Sequence, residues 1–131
     1  MKKTGILAAL GVVFFCGCAK EGLGGDTTLV IFPQHHGRPI PSTGAYLDSV
    51  YVKFGAKEIP ADPTHDYDAV FAGEVGEDHV HVEGLKRGDY SIYCTAYDDS
   101  MQHRVVGGIV TKLKRADGGK EIDKTLPVGE E

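Results

Sequence analysis

The stretch Gly84-Leu85-Lys86-Arg87-Gly88-Asp89-Tyr90-Ser91-Ile92-Tyr93-Cys94-Thr95-Ala96-Tyr97 decides how the chain is read. From Tyr90 onward the residues alternate: Tyr90, Ile92, Cys94 and Ala96 take one side, and Ser91, Tyr93, Thr95 and Tyr97 take the other. A period of two is that of an extended strand, and one wholly apolar side marks a buried face. Working outward, Leu29-Val30-Ile31-Phe32 is an apolar run stopped by Pro33. Val50, Val52 and Phe54 alternate with Tyr51 and Lys53, Tyr67 to Ala72 forms a shorter run, and Val80 and Val82 alternate with His79 and His81. Further on, Val105 to Leu113 carries Ile109 and Val110 after a Gly107-Gly108 break, which reads as a strand bulge. Ile122, Leu126 and Val128 close the chain. This region sustains no helical i, i+3, i+4 spacing. Seven short strands in about 100 residues predict an all-β fold, a seven-stranded antiparallel β-sandwich.

The turn leading into the Tyr90 strand adds to this. Leu85 is placed to plug the end of the core, Gly88 to take a positive φ, and Tyr90 to reach back to backbone. The spacing Leu85-x-x-Gly88-x-Tyr90 resembles the tyrosine corner of Greek-key sandwiches. It is also similar to a signature of carboxypeptidase regulatory-like and transthyretin-like domains. Gly37-Arg38-Pro39-Ile40 followed by Ala45-Tyr46-Leu47 resembles the Gly-x-Pro segment between the first two strands of that group. The resemblance implies a transthyretin-like or Ig-like Greek-key sandwich, with the domain running over residues 29–131.

The chain has 131 residues, a formal charge of -5, 41% hydrophobic and 25% charged residues, and three cysteines. That composition fits one globular domain and excludes wholesale disorder. A pI of about 5.6 excludes nucleic acid as a bulk partner, because phosphate binding needs a positive face. The beginning is built differently from the rest. Lys2 and Lys3 precede an apolar run from Ile6 to Phe15 that is too short to span a bilayer and has the length of a signal peptide's apolar region. Phe15-Cys16-Gly17-Cys18-Ala19 resembles the lipobox of bacterial lipoproteins. The resemblance implies a signal peptide over residues 1–17, removed at Cys18, which becomes the lipid-modified first residue. The small Gly17 before Cys18 suits that cut, whereas Phe15 before Cys16 does not. Ala19, in place of a retention Asp, points to the outer membrane, with the membrane as partner through the lipid anchor. Residues 18–28, rich in Gly and small polar side chains, read as a flexible tether.

Few constellations carry chemistry. The transthyretin-like group includes a 5-hydroxyisourate hydrolase with a carboxy-terminal Tyr-Arg-Gly-Ser signature. This chain ends Leu126-Pro127-Val128-Gly129-Glu130-Glu131, so enzyme activity is not expected, and no cofactor motif is present. His79-Val80-His81 places two imidazoles on one strand face, where zinc or copper would bind if a third ligand arrived from elsewhere. Asp62, Asp66 and Asp68 with His65 make an oxygen-rich loop without a calcium-loop pattern. Lys112, Lys114 and Arg115 form a small basic cluster of the kind that faces lipid headgroups. Tyr93 and Tyr97 share a strand side, and aromatic side chains on a wet sheet face stack on sugars or anchor a protein. The expectation is a non-catalytic cell-envelope lipoprotein acting as a binding or assembly module for a protein or glycan partner. Its alternative is a metal-binding module centred on His79 and His81.

Overall fold

A computed structural model describes residues 20–131; the stretch expected to be a signal peptide with its lipobox, and Cys18, lie outside the described residues. The chain forms eight strands: β1 Leu23–His35, β2 Arg38–Pro39, β3 Ser49–Phe54, β4 Ala69–Ala72, β5 Val80–Leu85, β6 Gly88–Asp98, β7 His103–Leu113 and β8 Glu121–Glu130. A single 3₁₀ turn, Arg115–Asp117, is the only helical element among the described residues. One layer is β4-β3-β6-β7, antiparallel throughout. In the other, β1 lies between β8 on one side and β5, then β2, on the other. The two layers meet along β8, whose last residues pair with β7 at Val105↔Glu130 and Val106↔Gly129.

The alternation read from the sequence builds the core. Val50, Val52, Tyr90, Ile92, Cys94, Ala96 and Val105 point inward from the first layer, and Leu29, Ile31, Val80, Val82, Leu85, Leu126 and Val128 from the second, none more than 7% exposed. At about 25 cal/mol per Å² of apolar surface buried, such a face is what drives the layers together. Every residue of this core lies between Leu29 and Val128. Among the described residues there is no disulfide: Cys94 is a free, buried cysteine.

The expected β-sandwich is thus present, with four corrections. There are eight strands rather than seven, because the two-residue β2 is too short to leave a periodic signal. The sandwich is not wholly antiparallel: β1 and β8 run parallel from Thr28↔Glu121 to His35↔Val128. Period-two alternation is the same in either direction, so it carries no information on polarity. The tether expected over 18–28 is cut short, since β1 begins at Leu23. Leu23 and Thr27 both lie opposite Leu85, and a side chain at Gly25 would collide with the Leu85 carbonyl oxygen. The glycines there serve a β-bulge in close backbone contact rather than a linker.

The fourth correction concerns Gly107 and Gly108, which make neither a break nor a bulge: the β6–β7 register runs unshifted through Cys94↔Gly107 and Tyr93↔Gly108. A Cβ on Gly107 would strike the Pro127 carbonyl oxygen, and one on Gly108 would lie 2.8 Å from Ile59 Cδ1. Gly107 lets β8 close on β7.

The turn before β6 forms as its residues predict. Leu85 is fully buried, Gly88 has φ +133° and the Tyr90 hydroxyl donates to the Lys86 carbonyl at 2.6 Å. It does one thing more. The same hydroxyl accepts from Gly22 N at 2.9 Å, and Lys86 N donates to the Gly22 carbonyl at 2.9 Å. The point where the amino-terminal segment enters the fold is thereby pinned to the β5–β6 turn. Tyr90→Phe leaves these backbone groups without their partner, and a loss of about 1–3 kcal/mol is expected in urea unfolding, read as a lower midpoint at unchanged slope. Gly107→Ala is expected to destabilise as well, by forcing β8 off β7.

Candidate binding face

Inward Val50 and Val52 put Tyr51 on the outer face of β3, and inward Tyr90, Ile92, Cys94 and Ala96 put Tyr93 and Tyr97 on the outer face of β6. The register brings two of these tyrosines into one row across the layer: Val70 opposite Tyr51, Tyr51 opposite Tyr93, and Tyr93 opposite Gly108. Two further tyrosines arrive from connecting segments. Tyr67 packs edge-on against Tyr51, with ring centroids 5.0 Å apart, and Tyr46 lies 5.8 Å from Tyr97. Five of the six tyrosines in the chain therefore gather on one side of one sheet. The sixth, Tyr90, is in the core.

This face is neither sealed nor fully wet. Tyr93 and Tyr97 are half-buried, Thr95 between them is buried, and Val70 and Val110 are each 50% exposed. Burial, with a smaller contribution from Glu131, lifts the Tyr93 phenol above its ordinary value. The long β3–β4 connection is folded down at one edge, where Ile59 covers Gly108. Asp66 and Asp68 from that connection are engaged by Lys53, at 2.9 and 3.8 Å, and Asp68 also accepts from Phe54 N at 2.8 Å. The carboxylates that suggested a cation loop are thus holding the connection in place.

His79, just before β5, and His81, on its outer side, do come together, with ring centroids 4.8 Å apart. His79 Nδ1 lies 3.0 Å from Asp78 Oδ1, and its ring packs on Phe32 at 5.4 Å. They border a cleft with Glu74, Glu77 and Glu83. Among the described residues no group of three or more His, Cys, Asp or Glu is disposed to hold a metal ion. The nearest acid beyond Asp78 is Glu77, whose Oε2 lies 3.8 Å from His79 Nδ1.

Two carboxylates are buried, Asp98 among them although Asp98-Asp99 reads in the sequence as a solvated turn between two strands. Asp98, at the inward position two after Ala96, is 3% exposed. Its Oδ2 meets His35 Nδ1 at 2.8 Å, and its Oδ1 accepts from the Ser100 hydroxyl at 2.6 Å, Ser100 N at 3.0 Å and Met101 N at 3.3 Å. These bonds, the Ser100 hydroxyl first, hold the Asp98 carboxyl well below the usual carboxylate range. Serine, aspartate and histidine meet here, but the aspartate stands in the middle. The serine hydroxyl points to the carboxylate and not to the imidazole, so no base is aligned to activate it. Asp48, two before Val50, is 1% exposed and neither carboxyl oxygen has a hydrogen-bond partner. Its backbone N donates to the Ser42 hydroxyl at 2.9 Å, and its carbonyl accepts from Gly73 N at 2.8 Å. Burial pushes its carboxyl up to about 7 and, first among causes, pushes the neighbouring Cys94 thiol up as well. The signal for both aspartates was an acid falling on the apolar side of an alternating strand.

No family model, no curated protein and no solved structure matches this chain.

The raised Asp48 carboxyl makes stability depend on pH. Below about pH 4 it is protonated in both folded and unfolded chains. As the pH rises from about 4 to about 7, the unfolded chain ionises while the folded one keeps its proton, and stability falls by about 4 kcal/mol in all. Asp98 acts in the opposite sense, its contribution being lost as the pH falls through the acid range. Asp48→Asn is expected to be more stable than the parent at pH 7 and to lose the decline between pH 4 and 7, measured by urea unfolding across that range.

Proposed function

We propose that the protein is a non-catalytic lipoprotein of the cell envelope, anchored through Cys18 in the outer membrane, whose sandwich domain binds a protein or glycan partner on its tyrosine face. The observation that carries this reading is the gathering of Tyr46, Tyr51, Tyr67, Tyr93 and Tyr97 on one side of the β4-β3-β6-β7 layer, with Val70 and Val110 open beside them. Tyrosine offers a large, rigid contact surface with a polar tip, at little cost in side-chain entropy. A half-exposed aromatic face on an otherwise complete fold is what a recognition surface looks like before its partner arrives.

The groups with catalytic chemistry are committed to structure, which supports the non-catalytic part of the reading. Cys94 is buried with its thiol held protonated, and the Ser100 hydroxyl is spent on Asp98. The charged start, the short apolar run and Gly17-Cys18 support the anchor. The Tyr90 corner supports placing the domain among transthyretin-like and carboxypeptidase regulatory-like sandwiches.

Two measurements test the proposal. In cells fed a fatty-acid analogue, the native chain is expected to take the label and Cys18→Ser is not; equal labelling of both refutes the anchor. A photoreactive residue at position 93 is expected to give one discrete cross-linked species, or the purified domain a defined glycan-array signal. Either should fall at least roughly tenfold in Tyr97→Ala, the effect of losing one aromatic hot spot. A signal indifferent to Tyr97→Ala, or none by either route, refutes the tyrosine face.

A further inference from the structure

The fold brings together basic side chains that lie far apart in sequence. Lys86 and Arg87 on the β5–β6 turn, and Lys114 and Arg115 on the β7–β8 connection, line one groove of about 210 Å³ together with Gly25, Asp26, Thr27 and Gly118. Within a chain of net charge -5, this concentration of cations is out of keeping with the rest. Arg38, Lys53 and Arg104 elsewhere are each paired with a carboxylate. Among the described residues Lys86, Lys114 and Arg115 enter no such pair. The nearby acids are Asp26, which lines the groove, Asp117, whose carboxylate accepts from Lys114 N at 2.7 Å, and Glu21, which accepts from Asp89 N at 3.3 Å. Asp89, opposite Lys112 across β6–β7, is a further acid at this end, and Lys20 and Lys112 add cations close by in the chain.

The groove is also the place where the chain enters the fold. Gly22 is held by the Tyr90 hydroxyl and by Lys86 N, the Thr27 hydroxyl donates to the Asp117 carbonyl at 3.2 Å, and Thr28 N donates to the Lys120 carbonyl at 3.0 Å. The entering segment is stitched to both turns that supply the cations. Gly22 is four residues from Cys18, so the chain between them reaches at most about 14 Å. That is little more than the Debye length of about 8–10 Å over which a charged surface is felt. Leu23, 48% exposed, stands at the same end.

We infer that this basic groove is a docking surface for anionic phospholipid headgroups. It sets the domain end-on against the membrane, with the tyrosine face standing upright beside it. The inference deepens the proposed function and rests on the anchor at Cys18. Phosphate groups of the lipid would be met by Lys86, Lys114 and Arg115, and the short entering segment excludes the opposite end of the sandwich from that role.

The test uses the domain 20–131, which holds every described residue of the core. Its partition is measured onto vesicles of phosphatidylcholine alone and of phosphatidylcholine with phosphatidylglycerol. Partition is expected to be at least roughly tenfold stronger onto the anionic vesicles, and to weaken as salt is raised. Lys114→Glu/Arg115→Glu, both exposed, is expected to lose that roughly tenfold preference while keeping the parent's thermal unfolding. Arg104→Glu, at the far end, should keep the preference. Equal partition onto both vesicles overturns the inference, as does a charge reversal that has no effect. So does binding of inorganic phosphate without binding of vesicles, which would make the groove a site for a soluble anion. Because the domain lacks Cys18, this outcome is independent of the fatty-acid labelling, and failure of one is distinguishable from failure of the other.

Discussion

The Tyr90 hydroxyl connects the parts of this molecule that matter most to one another. It donates to the Lys86 carbonyl and accepts from Gly22 N, so a single group fixes the turn into β6 and the entry of the chain. A buried hydroxyl must be satisfied, and here its partners are both backbone. The arrangement depends on Leu85 filling the core beneath and on Gly88 adopting a conformation that a side chain would resist. With this corner in place, the inward parity of β6 is set and Tyr93 and Tyr97 face outward. The basic turns are held around the entering segment as well. The tyrosine face and the basic groove are thus two results of one local geometry.

How much of this was legible in the sequence depends on which physical signal each feature leaves. Strand existence and face are written in the period-two alternation, and so Tyr90, Ile92, Cys94 and Ala96 could be separated from Ser91, Tyr93, Thr95 and Tyr97 before any coordinates. Pairing is not written there. The parallel β1–β8 ladder has the same alternation as an antiparallel one, and β2 is two residues long. Glycine was the least transparent residue. Gly24 and Gly25 resembled a linker and Gly107-Gly108 a bulge, yet Gly25 and Gly107 are required by backbone atoms, Leu85 O and Pro127 O, that approach from strands distant in sequence.

The candidate site was partly legible for the same reason. Tyr93 and Tyr97 were found through parity, and Tyr51 follows by register, but Tyr46 and Tyr67 reach the face through loops that carry no period. The basic groove was half visible as Lys112, Lys114 and Arg115; Lys86 and Arg87 join it only when β5–β6 and β7–β8 turn at the same end. Asp48 and Asp98 show the converse case. Each is an acid on the apolar parity of a strand, where burial of a charge is costly. They meet that cost differently: Asp98 through His35 and Ser100, Asp48 by retaining its proton.

The last strand has a consequence for how the molecule comes into being. Residues of β8 seal both layers, to β1 along its length and to β7 at its end, and the β1–β8 ladder joins positions about ninety residues apart, a contact order typical of slow folding. Until Leu126 and Val128 have emerged, β1 lacks one neighbour and the core lacks its closing wall. Closure of the sandwich therefore waits on β8, and a chain truncated before Leu126 is left open at both layers.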